Sequence, residues 1–357
     1  MNELVKSEEI SKQRKHKQIA IMLCVICLSS LIIIKTPIKQ FLAMGIERVF
    51  IYIDEFTNTE DIQSEIPQVN DLKMSILNIK DLKNYDKVIK VRDDLYTGSL
   101  ILVNNEYPCK MDTDKDLVRI SEYQNGAYKI MDEDIWVNRE MLQHFNRMME
   151  EFKKSTGNHE IIVTSGYRTL REQSKNLQEK IKLYGIEEAR NWAMLPGYSE
   201  HHTGYAVDIS IYTDQGNYIR YRGQDEYGWI NENSYKYGII RRYIGDKKDI
   251  TGVSNEEWHY RYIGVPHSYI MTAKALCFEE YIEYLKRFTV DKKHLKVKCP
   301  EGKYEIYFVP TQGEETEILV PKGTKYSILG NNVDGFIVTV KKEFMRSSNK
   351  NTVSLTN

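Results

Sequence analysis

The sequence predicts an α+β chain: a small antiparallel sheet with flanking helices, behind an N-terminal membrane helix and ahead of a small C-terminal all-β appendage. Three observations carry this. Residues 18–34 are an uncharged apolar run. A helical period over residues 139–157 alternates with strand-like segments up to about residue 275. From residue 290 onward, short β-rich runs are separated by Gly, Pro and Asn turns.

The apolar run QIAIMLCVICLSSLIII follows the basic stretch KQRKHK and precedes Lys35 and Pro37. That length is the short end of a membrane span, and the basic flank is of the kind retained in the cytoplasm. No A-x-A-like cleavage site follows it. Cys24 and Cys27 follow Leu23 and Ile26, where a lipoprotein signal needs a small residue. The expectation is an uncleaved signal anchor over 18–35, with 1–17 cytoplasmic and the rest of the chain outside, making a single-pass protein of the cell membrane.

With 357 residues the chain can bury a substantial core in one large or two modest domains. A formal net charge of −1 argues against a nucleic-acid partner. Outside the apolar run, Cys109, Cys277 and Cys299 are scattered and form no C-x-x-C pair. They read as buried small apolar residues, and a thiolate metal site has no support.

Residues 36–96 are mixed in charge and read as an exposed spacer or stalk. GSLILVNN and AYKIMDEDIWVN read as strands. Met141, Phe145, Met148 and Phe152 fall on one helical face, and Gly157 closes that helix. EIIVTSGYR is a strand running into a turn. TLREQSKNLQEKIKLYG follows as a helix with Leu170, Leu177 and Ile181 on one side. EEARNWAML is a short helix stopped by Pro196 and Gly197, YAVDISIY and EEWHYRYIG are strands, and PHSYIMTAKALCFEEYIEYLKRF is helical. KYEIYFVP, TEILVP, KYSILG and GFIVTVKK complete a β-rich end. The boundaries expected are a main domain over 97–288, the appendage over 289–345 and a flexible tail over 346–357.

The chemistry gathers in PGYSEHHTGYAVDIS. A carboxylate in an apolar strand is costly unless it is paired or bound to a cation, which singles out Asp208. His201 precedes it by seven residues, an odd spacing that would set the two on opposite faces of a straight strand. Gly204 permits a turn between them. A hydrogen-bonded His–Asp pair explains that much equally well. The second segment, EEWHYRY, adds His259 with Glu256 three residues earlier. Two histidines and one carboxylate make a three-ligand catalytic zinc shell with a position left for water, and a nearby glutamate suits a general base. H-E-x-x-H is absent.

SEHHTGYAVD matches S-x-H-x-x-G-x-A-x-D, EEWH matches E-x-W-H, and SGYRTLREQ matches S-G-[YF]-R-x-x-x-x-Q, all in order. Over roughly residues 97 to 275 the chain resembles the VanY-like D-alanyl-D-alanine carboxypeptidases, in the zinc metallopeptidase group shared with lysostaphin-type enzymes and hedgehog domains. The resemblance implies one Zn²⁺ per chain held by His201, Asp208 and His259, with Glu256 as catalytic base. It implies that Arg168 steadies the oxyanion or the substrate carboxylate, and that Gln173 and Ser199 contact the D-Ala-D-Ala end. His202 falls at a variable position. On a regular strand Glu257 would share the face of His259 and Glu256 would not. The resemblance selects Glu256, which requires an irregular backbone there.

The implied activity is hydrolysis of the terminal D-alanine from peptidoglycan stem pentapeptides or their precursor. L,D-carboxypeptidase and D,D-dipeptidase activity on the same polymer are the alternatives. A non-catalytic cell-wall-binding protein is the reading from another class. The motifs do not separate wall maturation from antibiotic resistance.

Overall fold

A computed structural model describes residue 69 and residues 71–111, 116–189 and 192–342. The expected anchor over 18–35, its cytoplasmic flank and the tail over 346–357 lie outside the described residues. Among the described residues, no helix is long and apolar enough to cross a membrane.

The chain opens with β1 (Lys73–Asn78) and β2 (Tyr85–Val91), then β3 (Leu117–Arg119), β4 (Lys129–Ile130) and β5 (Trp136–Asn138). Helix α1 (Arg139–Thr156) leads to β6 (Ile161–Ser165) and α2 (Leu170–Tyr184). A 3-10 turn, Glu200–Thr203, then enters β7 (Ala206–Tyr212), followed by β8 (Tyr218–Arg220) and α3 (Gly228–Asn233). Strands β9 (Ile239–Tyr243) and β10 (Glu256–Tyr262) precede α4 (His267–Ala273) and α5 (Phe278–Leu285). The chain finishes with β11 (Lys293–Cys299), β12 (Gly302–Pro310), β13 (Glu315–Pro321), β14 (Lys325–Gly330) and β15 (Gly335–Lys342).

The central sheet runs β4-β6-β7-β10-β9, with β8 on β7. Only β4 and β6 pair in parallel; the described remainder is antiparallel. Helix α1 covers one face. Asn138 caps its start by accepting from the N–H groups of Glu140 and Met141, and Gly157 ends it at φ +75°. Met141, Phe145, Met148 and Phe152 are buried there against Val207, Ile209 and Tyr260. Since side chains alternate along a strand, Ala206, Asp208 and Ser210 are left for the opposite face. His259 is the register partner of Asp208 on that face.

Helix α2 departs from its expected packing. Leu170 is 61% exposed, and Gln173 is the helix's buried residue. A capping box between Thr169 and Glu172 fixes its start instead. AYKIMDEDIWVN is not one strand but the two short strands β4 and β5.

GSLILVNN is also not a strand. Leu100, Ile101, Leu102 and Val103 are buried, yet they run as irregular backbone. Buried carbonyls need donors. Arg261 meets two of them, its Nη2 donating to Ser99 O and Ile101 O at 3.0 Å each.

The second sheet runs β1-β11-β12-β15-β14, and β2 pairs with β13. Residues 73–91, expected within the spacer, therefore form two strands that pair with strands near the far end of the sequence. The reason is compositional: β1 and β2 hold one side of each ladder with few buried side chains, so their pattern reads as exposed. Cys109, Cys277 and Cys299 are free thiols, the last two buried.

Candidate metal centre and active site

Ser199 begins the turn that carries His201, its Oγ accepting from His201 N–H at 3.3 Å. The turn ends at Gly204, φ +70°, in the left-handed region. That reversal brings His201 back over the start of β7. His201 Nε2 lies 3.2 Å from Asp208 Oδ2, and His259 Nδ1 lies 3.0 Å from Asp208 Oδ1. Donor atoms of all three residues lie within 4.8 Å of one another.

The remaining ring nitrogens are occupied behind the site. His201 Nδ1–H donates to Gly166 O, and His259 Nε2–H donates to Glu200 Oε2 at 3.2 Å. His201 Nε2, in contrast, is buried without a hydrogen-bond partner. A buried ring nitrogen left open beside a carboxylate and a second imidazole is the donor set of a zinc site, and the three residues fit that ion.

Burial, with Arg168 adding to it, pushes the His201 imidazole down to about 4, so its ring is neutral. Burial opposes charge on Asp208, but the two histidines hold its carboxyl well below the usual range. Burial alone would lower His259; the carboxylates of Asp208 and Glu200 raise it to about 9.

Glu256 is 8% exposed, and burial pushes its carboxyl up to about 7. His259 and Arg168 pull it down and Asp208 pushes it further up. Its burial, where Glu257 is half-buried, has a cause in the backbone. The β10–β9 register shifts between Glu256 and Tyr260, an irregularity that breaks the simple alternation. Glu257 instead accepts from Asn255 Nδ2 at 2.8 Å and stands 3.8 Å from Arg220.

Arg168 Nη1 lies 3.7 Å from Asp208 Oδ2, and its Nε is buried without a partner. Gln173 Nε2 donates to Met194 O at 2.7 Å, leaving its Oε1 buried and unpaired. Ser199 is buried as the cap of the histidine turn. His202 is not part of the donor cluster. Its Nδ1–H donates to Arg168 O, and its Nε2 accepts from Gly197 N–H at 2.9 Å.

Sequence reasoning passed over Glu200, Arg242 and Arg261. Arg242 and Arg261 are 1% and 0% exposed, on β9 and β10. Their charge was the available signal, since a buried guanidinium demands a carboxylate. Glu200 is that carboxylate, 2.8 Å from Arg242 Nε and 3.0 Å from Arg261 Nη1.

The VanY family, described as D-alanyl-D-alanine carboxypeptidase, matches residues 134–265, which contain all of these site residues. A D-alanyl-D-alanine carboxypeptidase of Enterococcus faecium is 38% identical over 251 residues, spanning 70% of this chain and 77% of the relative. The chain belongs to the VanY family of D-alanyl-D-alanine carboxypeptidases. VanY-type enzymes are zinc-dependent hydrolases. A bifunctional D-Ala-D-Ala dipeptidase and carboxypeptidase of Enterococcus gallinarum is 30% identical, over 53% of this chain and 95% of its own. Among solved structures, the vancomycin-resistance D,D-dipeptidase VanXYg in complex with a D-Ala-D-Ala phosphinate analogue aligns with a TM-score of 0.65 and 32% identity. That alignment covers 72% of this chain and 99% of the VanXYg chain. The mixed α+β architecture is thus shared with a VanY/VanX-type neighbour.

Proposed function

We propose that this VanY-family chain is a zinc D,D-carboxypeptidase that removes the terminal D-alanine from peptidoglycan stem pentapeptides. The convergence of His201, Asp208 and His259 beside the buried Glu256 is the observation that supports it most. His201 would hold zinc through Nε2, His259 through Nδ1 and Asp208 through its carboxylate. When bound, zinc supplies Lewis acidity toward the scissile carbonyl and toward water.

The chain's own groups supply the proton traffic and the positioning. Glu256, raised by burial, takes the proton of the attacking water and delivers it to the departing D-alanine nitrogen. Arg168, with an unpaired buried Nε, offers donors to the oxyanion or to the substrate carboxylate. Gln173 Oε1 is free to accept from the substrate's terminal residues. Ser199 fixes the His201 turn.

D,D-dipeptidase activity is the second reading, favoured by the likeness to the bifunctional enzyme and to VanXYg. A panel of synthetic penta-, tetra- and dipeptides tests both. D-alanine released from the pentapeptide is the expected result. Cleavage of the tetrapeptide or the free dipeptide, with the pentapeptide left intact, would overturn the D,D-carboxypeptidase assignment.

The proposal includes anchorage by the apolar run over 18–35, with the catalytic domain on the outer side of the cytoplasmic membrane. The basic flank and uncharged run support it. Fractionation of cells expressing the full chain should place it with membranes, and deletion of 18–35 should release it.

A further inference from the structure

Glu200 joins two systems that the site chemistry leaves separate. One carboxylate oxygen, Oε1, faces Arg242 Nε at 2.8 Å and Arg261 Nη1 at 3.0 Å. The other, Oε2, faces His259 Nε2 at 3.2 Å. Its side chain is wholly buried, as are both guanidiniums. A carboxylate between two guanidiniums has only acceptor oxygens to offer, so the nitrogen of His259 that meets it must carry the hydrogen. The other nitrogen, Nδ1, lies 3.0 Å from Asp208 and is the one that would give up its hydrogen to zinc.

The support continues outward. Arg242 grips Glu279 of α5 with two hydrogen bonds, Nη1 to Oε2 at 3.0 Å and Nη2 to Oε1 at 2.7 Å. Glu279 Oε1 in turn accepts from Asn104 Nδ2 at 3.1 Å. Arg261 holds the carbonyls of Ser99 and Ile101. The buried Glu200 and the half-buried Glu279 face two buried guanidiniums, so the charges balance without help from the imidazole. The Oε2 contact is therefore not needed to neutralise the arginines.

We propose that Glu200 is a positioning residue for the metal centre: it fixes His259 as the Nε2–H tautomer, so that Nδ1 is the ligand nitrogen. The inference rests on the zinc reading of the site. The guanidiniums around Glu200 are in turn paired with groups outside residues 134–265, the carbonyls of Ser99 and Ile101 and the carboxylate of Glu279. His201 has no such anionic anchor, since a backbone carbonyl holds its distal nitrogen.

The test uses the full chain and Zn²⁺ alone as probe. Glu200→Gln leaves an amide that cannot serve His259 and both arginines at once. Zinc affinity, measured by chelator competition, should fall about 10- to 100-fold, the usual consequence of losing an outer partner of a ligating histidine. In peptide assays with zinc in excess, kcat should fall while KM holds. Glu279→Gln breaks the outer half of the same network without touching His259. It should lower thermal stability and leave zinc affinity at the wild-type value. Equal zinc affinity in Glu200→Gln and wild type overturns the inference, and so does an equal loss in both variants, which marks a purely structural network. Histidine ¹⁵N spectra of the zinc-loaded wild type need no variant to fold. They should show His259 with a proton on Nε2, and a proton on Nδ1 overturns the inference. A wild-type protein that takes up no zinc overturns the site reading as well, whereas the other contrary results overturn the role of Glu200 alone.

Discussion

His201 Nε2 and Asp208 Oδ2 lie 3.2 Å apart because the chain reverses at Gly204 between them. Gly204 adopts φ +70°, and a Cβ there would stand 2.7 Å from Leu117 Cδ2 and 3.2 Å from the backbone nitrogen of Asn138. Gly204→Ala should destabilise the fold by about 2–4 kcal/mol, combining left-handed backbone strain with overpacking. Its zinc affinity should fall as well, because relief of the clash shifts His201 against Asp208. Thermal melts and zinc titration check both, and a variant that matches wild type in each would remove Gly204 from the site's construction.

Glu256→Gln keeps the shape of the base and removes its proton-accepting charge. The expected loss in kcat is about 10²- to 10⁴-fold, the range attributed to a general acid–base group. Zinc content should stay at one ion per chain, since the residue is not among the three donors. Metal analysis alongside pentapeptide turnover separates this outcome from collapse of the centre.

His202 ties the backbone of Arg168 to that of Gly197 through Arg168 O and Gly197 N–H. His202→Ala strands the half-buried Gly197 N–H and frees the backbone of Arg168. A loss of about 1–3 kcal/mol is expected from the unmet donor. Pentapeptide KM should rise while zinc affinity is unchanged. Weakened zinc binding would instead make His202 part of the ligand set.

His267, outside the donor cluster, couples stability to pH. It is buried between Tyr281 Oη at 2.7 Å and Thr339 Oγ1 at 3.0 Å, and burial pushes its pKa down to about 3. The unfolded chain binds this proton near pH 6.5 and the folded chain does not, so stability falls as pH drops below that value. Between pH 7 and pH 4 the loss from this residue should reach about 3 kcal/mol. Urea denaturation across that range should show a shallower slope for His267→Gln than for wild type. Parallel slopes would show that His267 is protonated in the fold.

The donor residues were legible because the cost of a carboxylate on an apolar strand is written in the sequence, as is the glycine that allows the reversal. Helix α1 was legible for a similar reason, since its buried stripe, N-cap and closing Gly157 agree. Glu256 over Glu257 was not derivable from strand alternation. The register shift that buries Glu256 is a pairing property of β9 and β10, and neither strand records it alone. GSLILVNN misled because an apolar run signals burial, and what replaces its ladder bonds is Arg261, some 160 residues away. Glu200 was hidden by proximity to stronger letters. Its partners, Arg242 and Arg261, come together only when the sheet forms.

The pairing of β1 with β11 and of β2 with β13 has a consequence for how this protein comes apart. Strands at the start of the described chain zip onto β11 and β13 of its β-rich end, so β1 and β2 lose their partners when those strands are lost. Trimming either set leaves the other with an unpaired edge. Loss of order in the outer strands should therefore spread to α5 and, through Glu279 and Arg242, to the floor beneath His259. The protein is expected to melt as one cooperative body, with its hydrolytic competence lost in the same transition as its β-rich end.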